Sequence, residues 1–192
     1  MRGMQPAEEF AMDPAEAGPV EGYGADLEIV FREHHGPIVG MLARLTGNHS
    51  QAEDIAGEVF CKMARRPMIL RGRTDLTAWV YRVAANAGFD ALRSAGRRRR
   101  REEAAGVETL RLAGRADALD EMLREERRTR VRVVLEALKP RDARILLLRS
   151  GGMAYREIAQ ALGVAAGSVG TLLARAEAEF ERKFRARYGE AK

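Results

Sequence analysis

Apolar residues recur along most of this chain at three- and four-residue steps, and no long run of β-branched residues alternates at two. Such spacing paints a stripe down one side of a helix and leaves no half-buried strand. Leu27, Val30, Phe31, Ile38, Met41, Leu42 and Leu45 describe a first amphipathic helix, which Pro37 should kink or restart. Ile55, Val59, Phe60 and Met63 mark a second helix, and Ser50-Gln51-Ala52-Glu53 ahead of them reads as a capping box. Trp79, Val83, Ala87 and Leu92 carry a third from about 76 to 95, followed by Gly96 and the five arginines Arg97 to Arg101. Residues 102–116 show no stripe. Four further helices are predicted near 118–138, 141–149, 154–162 and 166–188.

The fold class is therefore all-α: two small helical domains joined by a flexible linker. Aromatics are only 6% of the residues, while Ala, Leu, Arg and Glu abound, and those side chains lose little freedom in a helix. The predicted boundaries are a disordered acidic tail over 1–24, a first domain over 25–96, a basic run and linker over 97–117, and a second domain over 118–190. The tail is rich in Gly, Pro, Ala and Glu without periodicity, a composition that cannot bury enough apolar surface to order itself.

Charge is spread unevenly. Residues 1–26 hold six acids and one base, a net of −5, so a chain whose total is +5 carries +10 on the remainder. A basic body with an acidic tail suits a polyanion, nucleic acid first among them.

Several function classes drop out. Cys61 is the single cysteine, which excludes an internal disulfide and a thiolate metal cage. Set in Val59-Phe60-Cys61, it is expected to be a packed thiol. No apolar stretch approaches the ~20 residues of a membrane span, and the acidic N-terminus lacks the layout of a signal peptide, so a cytoplasmic protein is expected. His34 and His35 are adjacent and point apart, and His49 sits at a turn. With no nucleophile–base–acid set and no phosphate-binding glycine loop, the expectation is no enzyme, no metal, no cofactor and no small-molecule substrate.

The strongest local signal runs from Tyr155 to Val164 and on through Gly167-Ser168-Val169. Ala159 is small where two helices must cross closely, and Gly163 can take the left-handed conformation of a tight turn. Ile158, Leu162, Val164, Val169 and Leu173 form an apolar wedge. This is the pattern of a helix-turn-helix, whose second helix enters the DNA major groove. The candidate base-reading residues on it are Ser168, Thr171 and Arg175, while Gly170 and Leu172 contribute nothing polar.

Taken together, these segments resemble the extracytoplasmic-function group of bacterial RNA polymerase sigma factors. The stretch Ala52-Glu53-Asp54-Ile55 with Glu58-Val59-Phe60 is similar to the helix by which that group grips core RNA polymerase. The resemblance thus implies contacts from Asp54, Ile55, Glu58, Val59 and Phe60. Asp54 and Glu58 lie one turn apart, placing two carboxylates on one face. Ala78-Trp79-Val80-Tyr81-Arg82-Val83-Ala84-Ala85-Asn86, then Asp90 and Leu92-Arg93, looks like the helix that meets the −10 promoter element. Arg82, Asn86 and Arg93 are its candidate DNA contacts, and Trp79 is expected to anchor the core. In the family, a preceding loop, here carrying Arg71, Gly72 and Arg73, shapes a pocket for a base flipped from the duplex. Leu138-Lys139-Pro140-Arg141 and the helix-turn-helix resemble the domain that binds the −35 element. Arg97 to Arg101 read as a sequence-blind phosphate grip.

What the family implies is promoter DNA and core RNA polymerase as partners, with an anti-sigma factor that hides the polymerase-binding face. A rival reading, a one-component regulator using the helix-turn-helix alone, requires a ligand pocket or dimer surface in 25–96. The two promoter elements lie about two duplex turns, roughly 70 Å, apart, and a relaxed linker of about 20 residues spans only ~25 Å. Two separate clusters on a slack tether are the expectation.

Overall fold

The computed structural model describes residues 23–65, 76–105 and 117–189. Among them are seven α-helices: α1 (Tyr23–Thr46), α2 (His49–Ala64), α3 (Leu76–Ala104), α4 (Asp117–Ala137), α5 (Pro140–Ser150), α6 (Tyr155–Leu162) and α7 (Val169–Tyr188). No strand occurs among the described residues. The loop holding Arg71, Gly72 and Arg73, the tail and most of the expected linker lie outside the described residues.

The first three helices form one bundle. Ile38, Met41, Leu42 and Leu45 from α1 meet Val59 and Met63 from α2 and Val80 from α3, all essentially without solvent exposure. Burying each such side chain contributes about 1.5–3 kcal/mol. Gly88 lets α3 approach α1, because a Cβ there would strike Leu42 and Leu45 at 2.6 and 2.8 Å. In the second bundle Val134 of α4, Ile145 and Leu148 of α5, Ile158 of α6 and Val169 of α7 are buried.

Several expectations are corrected. Pro37 does not interrupt α1, which runs unbroken for 24 residues. The N-cap of α2 is Asn48, not Ser50: its side chain accepts from the Gln51 amide at 3.0 Å, after Gly47 turns the chain at φ 74°. An Asn carbonyl so placed satisfies an orphan donor two residues earlier than the Ser50 hydroxyl could. α3 does not end at Gly96 but carries the whole arginine run to Ala104. Arginine is a good helix former, and Gly96 stays helical. Cys61 is exposed rather than packed, since the 100° step per residue turns it outward while Val59 and Phe60 face in.

The largest difference concerns the two clusters. They are not held apart: α3 packs against α4, α5 and α6 as well as against α1 and α2, and residues of both bundles join one continuous apolar core. Arg44 reaches across to donate to the Ser150 carbonyl at 3.1 Å.

Candidate polymerase and promoter-binding surfaces

On α2, Asp54 and Glu58 are exposed on the outer face, Glu58 loosely paired with Lys62 at 3.8 Å. Ile55 is half-buried. Val59 and Phe60, expected among the contact residues, are instead buried in the bundle, because a helix that shows Asp54 and Glu58 to solvent must turn 59 and 60 toward its neighbours. A largely apolar groove lies beside this face, lined by Leu27, Phe31, Gly57, Phe60, Cys61 and Ala64, with a volume of about 380 Å³. Phe31 is exposed at its rim, stacked on His35 at 4.5 Å and edge-on to Phe60 at 5.0 Å.

On α3, Arg82 and Asn86 are half-buried. Arg93 is partly covered and donates to Asp90 at 3.0 Å. Trp79 is partly buried against the core, and Tyr81 is buried. Its pKa is raised by desolvation, with a further push from the Glu157 carboxylate. In the arginine run Arg97, Arg98 and Arg101 are exposed, and Arg100 pairs with Glu136 of α4 at 2.9 Å.

The helix-turn-helix is built as its residues dictate. α6 and the segment from Ala166 to Tyr188 cross at 106°, within the range of this motif. Gly163 stands at φ 66° and ψ 38°, and Val164 donates to the Ala159 carbonyl at 3.0 Å while Gly163 donates to Gln160 at 3.4 Å. That pair of bonds is a Schellman cap. A short 3-10 turn over Ala166–Ser168 leads into α7. Ser168, Thr171 and Arg175 are all exposed on one side of it. Leu172 is turned inward against the core, so its lack of polarity removes no DNA contact. Gly170 is half-buried, and a Cβ there would meet the Tyr155 ring at 3.7 Å. Sequence reasoning missed Glu136 and Gly96 as partners across the bundles, and no local pattern marks them.

Comparison with known proteins agrees with this geometry. The family model for Sigma-70 region 2 matches residues 30–98, and that for Sigma-70, region 4 matches residues 128–180. The chain belongs to the sigma-70 family. Within it, the sigma factor falls in the extracytoplasmic-function group, and its function is to direct transcription. It is 27% identical to the RNA polymerase sigma-H factor of Pseudomonas aeruginosa over 165 residues, covering 82% of this chain and 84% of that one. It is 28% identical to the ECF RNA polymerase sigma factor SigE of Mycolicibacterium smegmatis, over 73% of this chain and 54% of the relative; the sigma factor thus spans about half of that protein. A solved structure of the sigma factor RpoE in complex with the anti-sigma factor NepR from Bartonella quintana superposes with a TM-score of 0.51, covering 83% of this chain and 97% of that one. At 17% identity that likeness speaks to the fold. The region 2 match occupies the segment where a one-component regulator would need its ligand or dimer surface.

Proposed function

We propose that this sigma factor docks on core RNA polymerase through the outer face of α2 and reads promoters with two helices, α3 at the −10 element and α7 at the −35 element. Asp54 and Glu58 supply carboxylates for basic partners, with Ile55 and the Phe31 groove adding apolar contact. Arg82, Asn86 and Arg93 contact −10 DNA, with Arg71, Gly72 and Arg73 shaping the pocket for a flipped base. Ser168, Thr171 and Arg175 face the −35 major groove. Arg97, Arg98 and Arg101 grip phosphates without reading sequence, so their share of affinity falls with salt.

The observation that carries this reading is the ordered pair of sigma modules, each presenting an exposed charged or polar face. The domain division that goes with it is 25–96 and 118–190, with 97–117 between them. Docking on the polymerase sets the separation that the free chain cannot hold. An anti-sigma factor acts by covering the α2 face. The sigma factor is a regulatory subunit and not an enzyme, and it works in the cytoplasm; among the described residues no single helix is long and apolar enough to cross a membrane.

Run-off transcription with purified core polymerase tests the proposal. The full chain should co-purify with core and start RNA at discrete genomic sites. Failure of both would overturn it.

A further inference from the structure

The apolar groove between α1 and α2 is open along its length. Leu27 and Phe31 form one wall, Phe60, Cys61 and Ala64 the other. Gly57 adds no side chain, and a Cβ there would meet nothing within 4 Å. Phe31 is 44% exposed, and Cys61 and Ala64 are exposed with it. About 380 Å³ lined in this way has room for an aromatic ring and a second apolar side chain. Continuous apolar surface of this kind marks a docking site.

The chain carries a matching plug beside it. α1 begins at Tyr23, and Leu27 in the groove wall is one turn on, so residues 1–22 join the helix at the groove's end. Those residues hold a single aromatic, Phe10, in the run Phe10-Ala11-Met12, with Glu8 and Glu9 before it and Asp13 and Glu16 after. The 13 residues from Phe10 to Tyr23 span about 20 Å as a relaxed chain, while Gly57 to Ala64 covers only about 10 Å of helix. Gly18-Pro19 and Gly22 supply residues suited to the reversal. Charge sets the direction. Lys62 and Arg65 are exposed at the Ala64 end, and Arg32 is exposed on α1 one turn beyond Glu28. Asp54 and Glu58 lie toward the far end, where they would repel an acidic segment.

We propose that residues 8–16 of the N-terminal segment dock in this groove in the free sigma factor and compete there with core polymerase. Phe10 and Met12 fill the space between Phe31 and Phe60, and Asp13 and Glu16 lie by Lys62 and Arg65. Tethering makes a weak plug effective. A segment with a Kd of about 0.1 mM, held at an effective concentration of about 1 mM, fills the groove roughly nine-tenths of the time. Core polymerase then meets a vacant groove in about one-tenth of the molecules, and its apparent affinity falls by that factor.

The competition rests on the assignment of the α2 face to core docking; the seat itself does not, and Cys61 reports it alone. This thiol is the single cysteine of the chain and lies in the groove wall. In the full chain, Phe10→Ser combined with Met12→Ser removes the plug without touching a buried position of either bundle. Alkylation of Cys61 by iodoacetamide, followed by mass, should run about tenfold faster in this variant than in wild type. A peptide of residues 5–16 added at about 1 mM should slow the variant back by a similar factor. Binding of the variant to core polymerase should tighten about tenfold. Equal alkylation rates in the two chains overturn the proposal, as does a peptide without effect. Faster alkylation with unchanged core affinity overturns the competition. Failure of the docking assignment reads differently: Asp54→Arg in the plug-free chain would bind core as tightly as its parent.

Discussion

Gly163 and Gly167 form a matched pair for testing the turn of the helix-turn-helix. Both are exposed, and a Cβ on either meets nothing within 4 Å, so sterics with neighbours cancel. Only Gly163 has a positive φ, at 66°. A Cβ in the left-handed region costs about 1–2 kcal/mol, while replacing any glycine by alanine stiffens the unfolded chain and returns about 0.4–1 kcal/mol. Gly167→Ala gains that second contribution alone and should raise the melting temperature slightly. Gly163→Ala bears both and should lower it. The unfolded-state part drops out of the difference, leaving a gap of about 1–2 kcal/mol, or roughly 2–8 °C for a chain of this size. Thermal melts followed by circular dichroism at 222 nm read it directly. Gly163→Asn should recover part of the loss, because Asn tolerates this region. Equal melting temperatures for the two alanine variants would refute the claim that the turn depends on glycine for its backbone angle.

Asp54→Arg on the exposed face of α2 should leave stability within about 0.5 kcal/mol and weaken core association by about 2–5 kcal/mol. Titration of labelled chain with core polymerase checks this, and undiminished affinity would remove Asp54 from the docking face. The raised pKa of Tyr81, caused first by burial and then by Glu157, means the fold favours the protonated phenol. Its contribution to stability is complete below the usual value near 10 and is lost as pH climbs from there through the folded value. Tyr81→Phe should flatten that alkaline decline in melting temperature; identical pH profiles would count against it.

How far the sequence could be read depended on whether a feature was local. The stripe Ile38, Met41, Leu42, Leu45 and the glycine turn at Gly163 are set by neighbours along the chain, and they appear in the structure as the spacing predicts. Exposed positions Asp54, Glu58, Ser168, Thr171 and Arg175 follow from helical phase. Phase also explains why Val59 and Phe60, which a family motif groups with the carboxylates, turn toward the bundle, where Phe60 lines the groove beside Phe31. The end of α3 was misplaced because Gly96 looks like a stop when only its own strand of residues is considered. Its fit to Glu136, forty positions away, is a tertiary fact. The same holds for Arg93 and Phe89: a polar and aromatic stripe on a helix is written identically whether it will meet DNA or another helix.

The length of α3 has a mechanical consequence. At 1.5 Å per residue its 29 residues form a rod of about 43 Å. The arginines proposed to hold phosphates and the side chains proposed to inspect bases are therefore one stiff piece, cut to a fixed angular setting. Sliding or rolling the anchor turns the inspecting edge by the same amount. A single residue inserted between Arg93 and Arg97 would swing the two ends about 100° out of phase and uncouple grip from recognition without removing either.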